Sequence, residues 1–193
     1  MPLLTSRVLP AGVLAGSPQP TLPTGDGLLL RPWRDGDVPA VHRAYQDPAL
    51  HRWHLRAAAG ADEVRGWVEE WRAQWAAESG VQFAVAGEDS GRLLGRVALC
   101  SLALGDGMAE VAYWTLAEAR GRRVAVRAAD ALARWALDDI GFQRLELHHS
   151  VANEASCRVA ARARFALEGT KRSALLHTDG WHDMHLHARV RGD

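Results

Sequence analysis

The residues best suited to chemistry lie in the second half of the chain. Ala119-Arg120-Gly121-Arg122-Arg123-Val124-Ala125 stands between an alternating run, Glu110 to Leu116, and a run from Val126 to Ile140. The second run carries Leu132, Trp135, Ala136 and Ile140 at helical spacing, with Gly141 as a natural stop. A strand, a short loop and a helix whose first turn lacks acidic residues make a ready anion site. The unpaired N–H groups of that turn, and the positive end of the helix dipole, point at whatever sits in the loop. Asn153 and Ser156 stand where a strand hands over to a helix, and both side chains suit capping. Glu110, at the start of its strand, is either a plain solvent-facing carboxylate or a proton acceptor. His148 and His149 are adjacent on a strand, point to opposite faces and read as structural. His182, His185 and His187 raise the question of a metal, and His185 and His187 share a strand face with Asp183. No further ligand completes that set, and no metal is expected.

The elements that must position these groups follow from periodicity and punctuation. The body begins with a strand at Leu28 to Arg31, after which Asp35 or Asp37 caps a helix running to about Gln46. Asp47-Pro48 ends that helix and opens a short segment carrying His51, Trp53 and His54. Asp62 is expected to cap the next helix, on which Val64, Trp67, Val68, Trp71 and Trp75 form an amphipathic stripe. Such a stripe is ordinarily core. Three strand-like runs, Gln82 to Ala86, Leu93 to Leu104 and Ala109 to Leu116, are divided by Asp89-Ser90-Gly91 and Gly105-Asp106-Gly107. A strand at Gln143 to His149, a helix from Cys157 to about Arg164 and a closing strand pair complete the order. The expectation is an α/β layer with a mixed, mostly antiparallel sheet flanked by helices.

Composition sets further bounds. A chain of 193 residues with 48% apolar and 24% charged residues fits one well-packed domain. Residues 27–193 are read as that domain, and residues 1–26, with five prolines, as an extended or disordered arm. The net charge is zero, so nothing global recruits nucleic acid or an anionic membrane. Glu118 to Arg172 nevertheless holds eleven basic residues against seven acidic ones, either solvated helix faces or a phosphate patch. Cys100 and Cys157 are too few for a disulfide framework, and a reducing cytoplasm fits best. The longest apolar run, Val97 to Leu104, is far too short to span a bilayer. The apolar patch from Val8 to Ala15, interrupted by Pro10, makes a poor secretion signal.

Taken with their neighbours, these residues resemble the GNAT superfamily of N-acetyltransferases, whose pyrophosphate loop runs [Gln/Arg]-x-x-Gly-x-[Gly/Ala]. Arg120 and Ala125 match its ends, while Arg123 stands at the glycine. Asn153, Ser156, Phe165, Glu168 and Gly169 resemble the Asn-x-x-Ser and Gly-Phe-x-x-Glu-Gly signatures of the ribosomal-protein-alanine acetyltransferase branch, with Arg164 at the leading glycine. Leu28 to Trp33 and Asp179 to Asp183 resemble that branch's opening and closing strands, so the similarity spans about residues 28 to 190.

The resemblance implies a GNAT fold and transfer of acetyl from acetyl-CoA to a primary amine by direct attack. It implies that amides of Arg122, Arg123, Val124, Ala125 and Val126, beside Arg120, hold the pyrophosphate. Leu116 would touch the pantetheine through its main chain, and Asn153 would touch it too. Ser156 would protonate the departing thiolate and Glu110 would serve as base, with Trp53, His54, Trp67 and His182 beside the acceptor. The arginine at position 123 has two readings: an added charge-assisted phosphate contact, or bulk that narrows the loop. A regular first turn requires no positive φ there, which leaves bulk as the question. A small-molecule amine and a protein N-terminus are both open as acceptor, and oligomeric state is open, a homodimer included. Arg123 and Arg164 also suit a polyanionic donor such as aminoacyl-tRNA, or a carrier protein. A non-catalytic CoA-binding module is the third reading.

Overall fold

Eight strands join in one sheet in the order β1-β2-β3-β4-β5-β6-β8-β7 in the computed structural model, which describes residues 5–54 and 56–193. They are β1 (Leu22–Pro23), β2 (Leu28–Arg31), β3 (Val81–Gly87), β4 (Leu93–Ala103), β5 (Met108–Thr115), β6 (Arg144–Ser150), β7 (Ala166–His177) and β8 (Gly180–Val190). Their α-helical partners are α1 (Val38–Ala44), α2 (Pro48–His51), α3 (Ala61–Ala76), α4 (Val124–Arg134) and α5 (Glu154–Arg162). All described pairings are antiparallel except β5 with β6.

Register decides which side chains share a face. Ala84, Arg96 and Trp114 lie opposite one another along β3, β4 and β5. On that face Trp114 meets Trp33 and Tyr45 at ring-centroid distances of 6.4 and 6.0 Å, and Trp33 meets Trp71 of α3 at 4.8 Å. All five residues of the α3 stripe are buried, as the spacing predicts. Phe83, Val97 and Tyr113 form the next row, on the opposite face, where Phe83 meets Trp135 edge-on at 5.8 Å. Helix α4 begins two residues earlier than its apolar spacing suggests. It continues as a π-helical stretch, Trp135–Ile140, and stops at Gly141, whose φ of 96° suits glycine.

Two capping expectations are corrected. Asp37 does not cap α1 with its side chain: it is buried in a bidentate pair with Arg31, both contacts 2.8 Å, and also accepts from the Arg34 N–H at 2.9 Å. Asp62 lies inside the first turn of α3 and pairs with Arg65, while Glu63 accepts from the Ala59 N–H at 2.7 Å. Asp47, by contrast, caps α2 by accepting from the Ala49 N–H.

The segment expected as an extended or disordered arm is docked in residues 5–26, and residues 1–4 fall outside the described chain. Leu9 and Leu14 are buried in the core. Glu78 accepts from the N–H groups of Gly12 and Leu14, both at 2.7 Å, and of Ala15 at 3.3 Å. The Trp75 indole donates to the Ser17 carbonyl at 2.8 Å, and Leu22 and Pro23 pair with β2.

Candidate active site

Strands β5 and β6 pair only from Met108 to Glu110 against Arg144 to Glu146, and then part. The rest of β5, to Thr115, and of β6, to Ser150, flank a cleft of about 850 Å³. Because the strands stop pairing while continuing outward, the cleft opens between them and is lined by residues from both faces of the sheet. The edge of β5 that β6 leaves is a row of backbone donors and acceptors suited to an extended ligand.

At one end of the cleft lies the loop before α4. Arg120, Arg123, Val124, Ala125 and Val126 all line it. The N–H groups of Gly121 to Val126 find no acceptor among the described residues, since the first helical bond here runs from Arg127 to the Arg123 carbonyl. Arg123 corrects the expectation of a regular first turn: it is the N-terminal cap of α4 and left-handed, with φ 57° and ψ 21°. The position therefore asks for glycine on conformational grounds, and the arginine occupies it with its side chain exposed. Arg120 forms an ion pair with Asp47, tying the loop to α2.

Two residues expected at the site, Arg122 of the loop and Leu116 at the end of the strand, lie outside the lining of the cleft. Arg122 does not line the cleft; its carbonyl accepts from Arg127 at 3.2 Å. Leu116 is buried outside the cleft, its N–H donating to the Leu94 carbonyl and its carbonyl accepting from Ala119, both at 2.9 Å. No main-chain donor of Leu116 is left for a ligand.

Ser156 sits in the first turn of α5. Asn153 caps that helix, its side chain accepting from the Ser156 N–H at 3.1 Å. The Ser156 hydroxyl is 2.5 Å from the phenol oxygen of Tyr113 on β5, across the cleft. Burial pushes the Tyr113 phenol up to about 12, against the opposing pull of the Ser156 contact, so it keeps its proton at neutral pH.

The opposite face carries the remaining groups. Glu110 and Glu146 are register partners, and His148 lies between their carboxylates, Nε2 at 3.2 Å from Glu146 and Nδ1 at 3.9 Å from Glu110. Trp53 and His54 line the cleft. Burial, reinforced by the charge of Arg96, lowers His54 to about 4 and leaves it neutral at physiological pH. His182 stands behind the lining: its Nε2–H donates to Asp179 at 2.8 Å, and its Nδ1 accepts from the Ser150 hydroxyl at 2.7 Å. It also stacks on His177, ring centroids 4.2 Å apart, which does line the cleft. Trp67 is core, edge-on to Tyr45 at 4.9 Å, and does not reach the cleft.

The chain matches the acetyltransferase (GNAT) domain family over residues 27–166. It belongs to the GNAT acetyltransferase family. Among curated relatives of this GNAT chain, YdaF of Bacillus subtilis, provisionally named a ribosomal N-acetyltransferase, is 28% identical over 159 residues, covering 81% of this chain and 85% of YdaF. The solved structure of RimL, a ribosomal-protein α-N-acetyltransferase in complex with coenzyme A, superimposes with a TM-score of 0.81 at 20% identity. It covers 89% of this chain and 98% of RimL. The microcin self-immunity acetyltransferase MccE, solved with acetyl-CoA and AMP, gives 0.78 at 16% identity, covering 86% of this chain and 94% of MccE.

Within this GNAT frame, Tyr113, Ser150 and Asp179 were not legible from the sequence as site residues. Tyr113 carried one signal, a polar aromatic in the apolar-facing row of β5. The residues weighed for a metal in the sequence are not all brought together. Asp183 is exposed and accepts from the Ser173 N–H at 2.8 Å, and His182 is on the other face. His185 and His187 instead face His149, their neighbour across the β6–β8 register.

Proposed function

We propose that this GNAT enzyme transfers acetyl from acetyl-CoA to a primary amine by direct attack in a ternary complex, with a protein N-terminus as acceptor. The observation that carries the reading is the gap between β5 and β6. Free loop amides stand at one end of it, and the Tyr113–Ser156 hydroxyl pair stands within it. In this reading the amides of Arg123 to Val126 cradle the pyrophosphate, supplying fixed donors without mobile charge. Arg120 and Arg123 add charge beside them. The pantetheine lies along the open edge of β5 toward Asn153.

The thioester then sits between two faces of unlike chemistry. On the Glu110 face, the amine enters past Trp53 and His54 and gives its proton to Glu110, directly or through one water. His148, hydrogen-bonded to Glu146, stands beside that carboxylate, and the Ser150–His182–Asp179 chain fixes the far wall. On the Tyr113 face, the Ser156 hydroxyl protonates the departing thiolate and is resupplied by the Tyr113 phenol, which regains its proton from solvent as Glu110 releases the amine's proton. A β5 amide meets the oxyanion. The acceptor class is supported by the names of two relatives, the provisionally named ribosomal N-acetyltransferase YdaF and the ribosomal L7/L12 α-N-protein acetyltransferase RimL.

The test is calorimetric titration of the full chain with acetyl-CoA beside Arg123→Gly, followed by mass spectrometry of amine-terminated peptides incubated with both. Micromolar binding and a single acetyl on the peptide α-amine are expected. Binding by Arg123→Gly alone would sink the acetyl-CoA reading. Affinity that collapses with salt would point to a polynucleotide-linked donor instead.

A further inference from the structure

On the face of the sheet away from Glu110, four metal-ligating side chains from three elements converge: His149 of β6, His185 and His187 of β8, and Cys157 of α5. One ligand atom from each lies within 4.8 Å of every other. His149 and His187 are almost wholly buried, with 5% and 2% of their surface exposed. Their tautomers are fixed by geometry. The His149 Nδ1 is 2.8 Å from the Ser150 carbonyl and the His187 Nδ1 is 3.3 Å from the Phe165 carbonyl. A carbonyl only accepts, so both Nδ1 atoms carry the proton and both Nε2 atoms present lone pairs. Those two Nε2 atoms face each other at 3.2 Å.

Two neutral imidazoles so arranged have no proton between them, and charging one to supply it would place a cation in a buried site. A metal ion removes the conflict. Tetrahedral zinc with bonds of about 2.0–2.1 Å sets its nitrogens about 3.3 Å apart, close to the spacing seen. The Nδ1–H to carbonyl bonds are the outer contacts that orient metal-bound histidines. The His185 Nδ1 is buried and has no hydrogen-bond partner among the described residues. A shallow depression lined by Cys157, Phe165 and His187 gives an ion a way in from the α5 side.

We propose that His149, Cys157, His185 and His187 bind one zinc ion in a closed, structural site. Four protein ligands leave no open position for a reacting water, so the ion fastens and does not catalyse. It joins the first turn of α5 to β6 and β8, and Cys157 is the residue after Ser156. The ion therefore fixes where the Ser156 hydroxyl stands. The proposal does not depend on the acceptor or donor, and its readouts do not use activity.

The full chain is stripped with a chelator, incubated with zinc and passed through a desalting column for elemental analysis. About one zinc per chain is expected, with alkylation of Cys157, but not of Cys100, slowed about tenfold or more. Cobalt in place of zinc is expected to give the intense visible bands of a tetrahedral site and a sulfur-to-metal charge-transfer band. The charge-transfer band should vanish in Cys157→Ser while the His185→Gln protein loses metal with its circular dichroism intact. Substoichiometric zinc together with unchanged Cys157 alkylation in the wild-type chain overturns the proposal. Cobalt binding without the charge-transfer band overturns the ligand set.

Discussion

Tyr113 and Ser156 share one short contact, and their contributions to transfer should not be independent. Ser156→Ala is expected to lower kcat about 100-fold with little change in KM for acetyl-CoA, the size of a lost general acid. Tyr113→Phe should cost about tenfold, and the double variant little more than Ser156→Ala alone, because the groups act as one relay. Additive losses in steady-state kinetics would separate them. Arg123 invites a stability series. In a left-handed cap, Arg123→Gly should leave the melting temperature unchanged or raised. Arg123→Val should lose about 1–2 kcal/mol by chemical denaturation, since a β-branched residue fits that backbone worst. Arg164, also left-handed at φ 65°, differs in that it pairs with Asp130 at 2.9 Å. Both sites stand where the resemblance has glycine. The residue types at Asn153 and Ser156 announced a helix start, and Asn153 caps it. The φ of Arg123 was not legible, because it comes from the turn that precedes α4 and not from the residue.

Elements were legible wherever a period or a turn signal was unambiguous: the α3 stripe, the hairpin turns between β3, β4 and β5, and the Asp47-Pro48 break. Caps were less so, since several acidic residues compete at each helix start and long-range partners choose among them. Asp37 is the clearest case, drawn from α1 by Arg31. Asp37→Ala should lower unfolding free energy by about 3–5 kcal/mol, since it strands a buried guanidinium. Urea titration checks it. Glu78 raises an analogous point for the N-terminal arm. Its carboxylate is held below the usual range chiefly by the N–H groups of Gly12 and Leu14. Glu78→Ala should release that segment, so limited proteolysis is expected to cut within residues 5–17 while leaving the domain whole. No new cleavage would show that Leu9 and Leu14 suffice to hold it.

For the whole molecule, acid is the revealing variable. His54 titrates at about 4 in the fold against 6.5 ordinarily. Between those values the unfolded chain takes up a proton that the folded chain refuses, so stability is full above pH 6.5 and falls as pH drops toward 4. That difference is about 3 kcal/mol for His54 alone. His149 and His187, both lowered chiefly by burial, act in the same direction. Thermal melts across that window should show the decline, and His54→Gln should make it shallower. The order of elements along the chain could be anticipated from the motif sequence, but the groupings across the sheet could not. Ser150 with His182 and His149 with His187 are separated by more than thirty positions and meet only through the β6–β8 register.

The short pairing of β5 with β6 has a mechanical meaning. Three register pairs stitch a five-stranded half-sheet to a three-stranded one, and everything beyond them is an open seam. A donor laid along that seam acts as a splint. Backbone amides on both its sides should slow their hydrogen exchange together when acetyl-CoA is added, and the two halves should then unfold as one body.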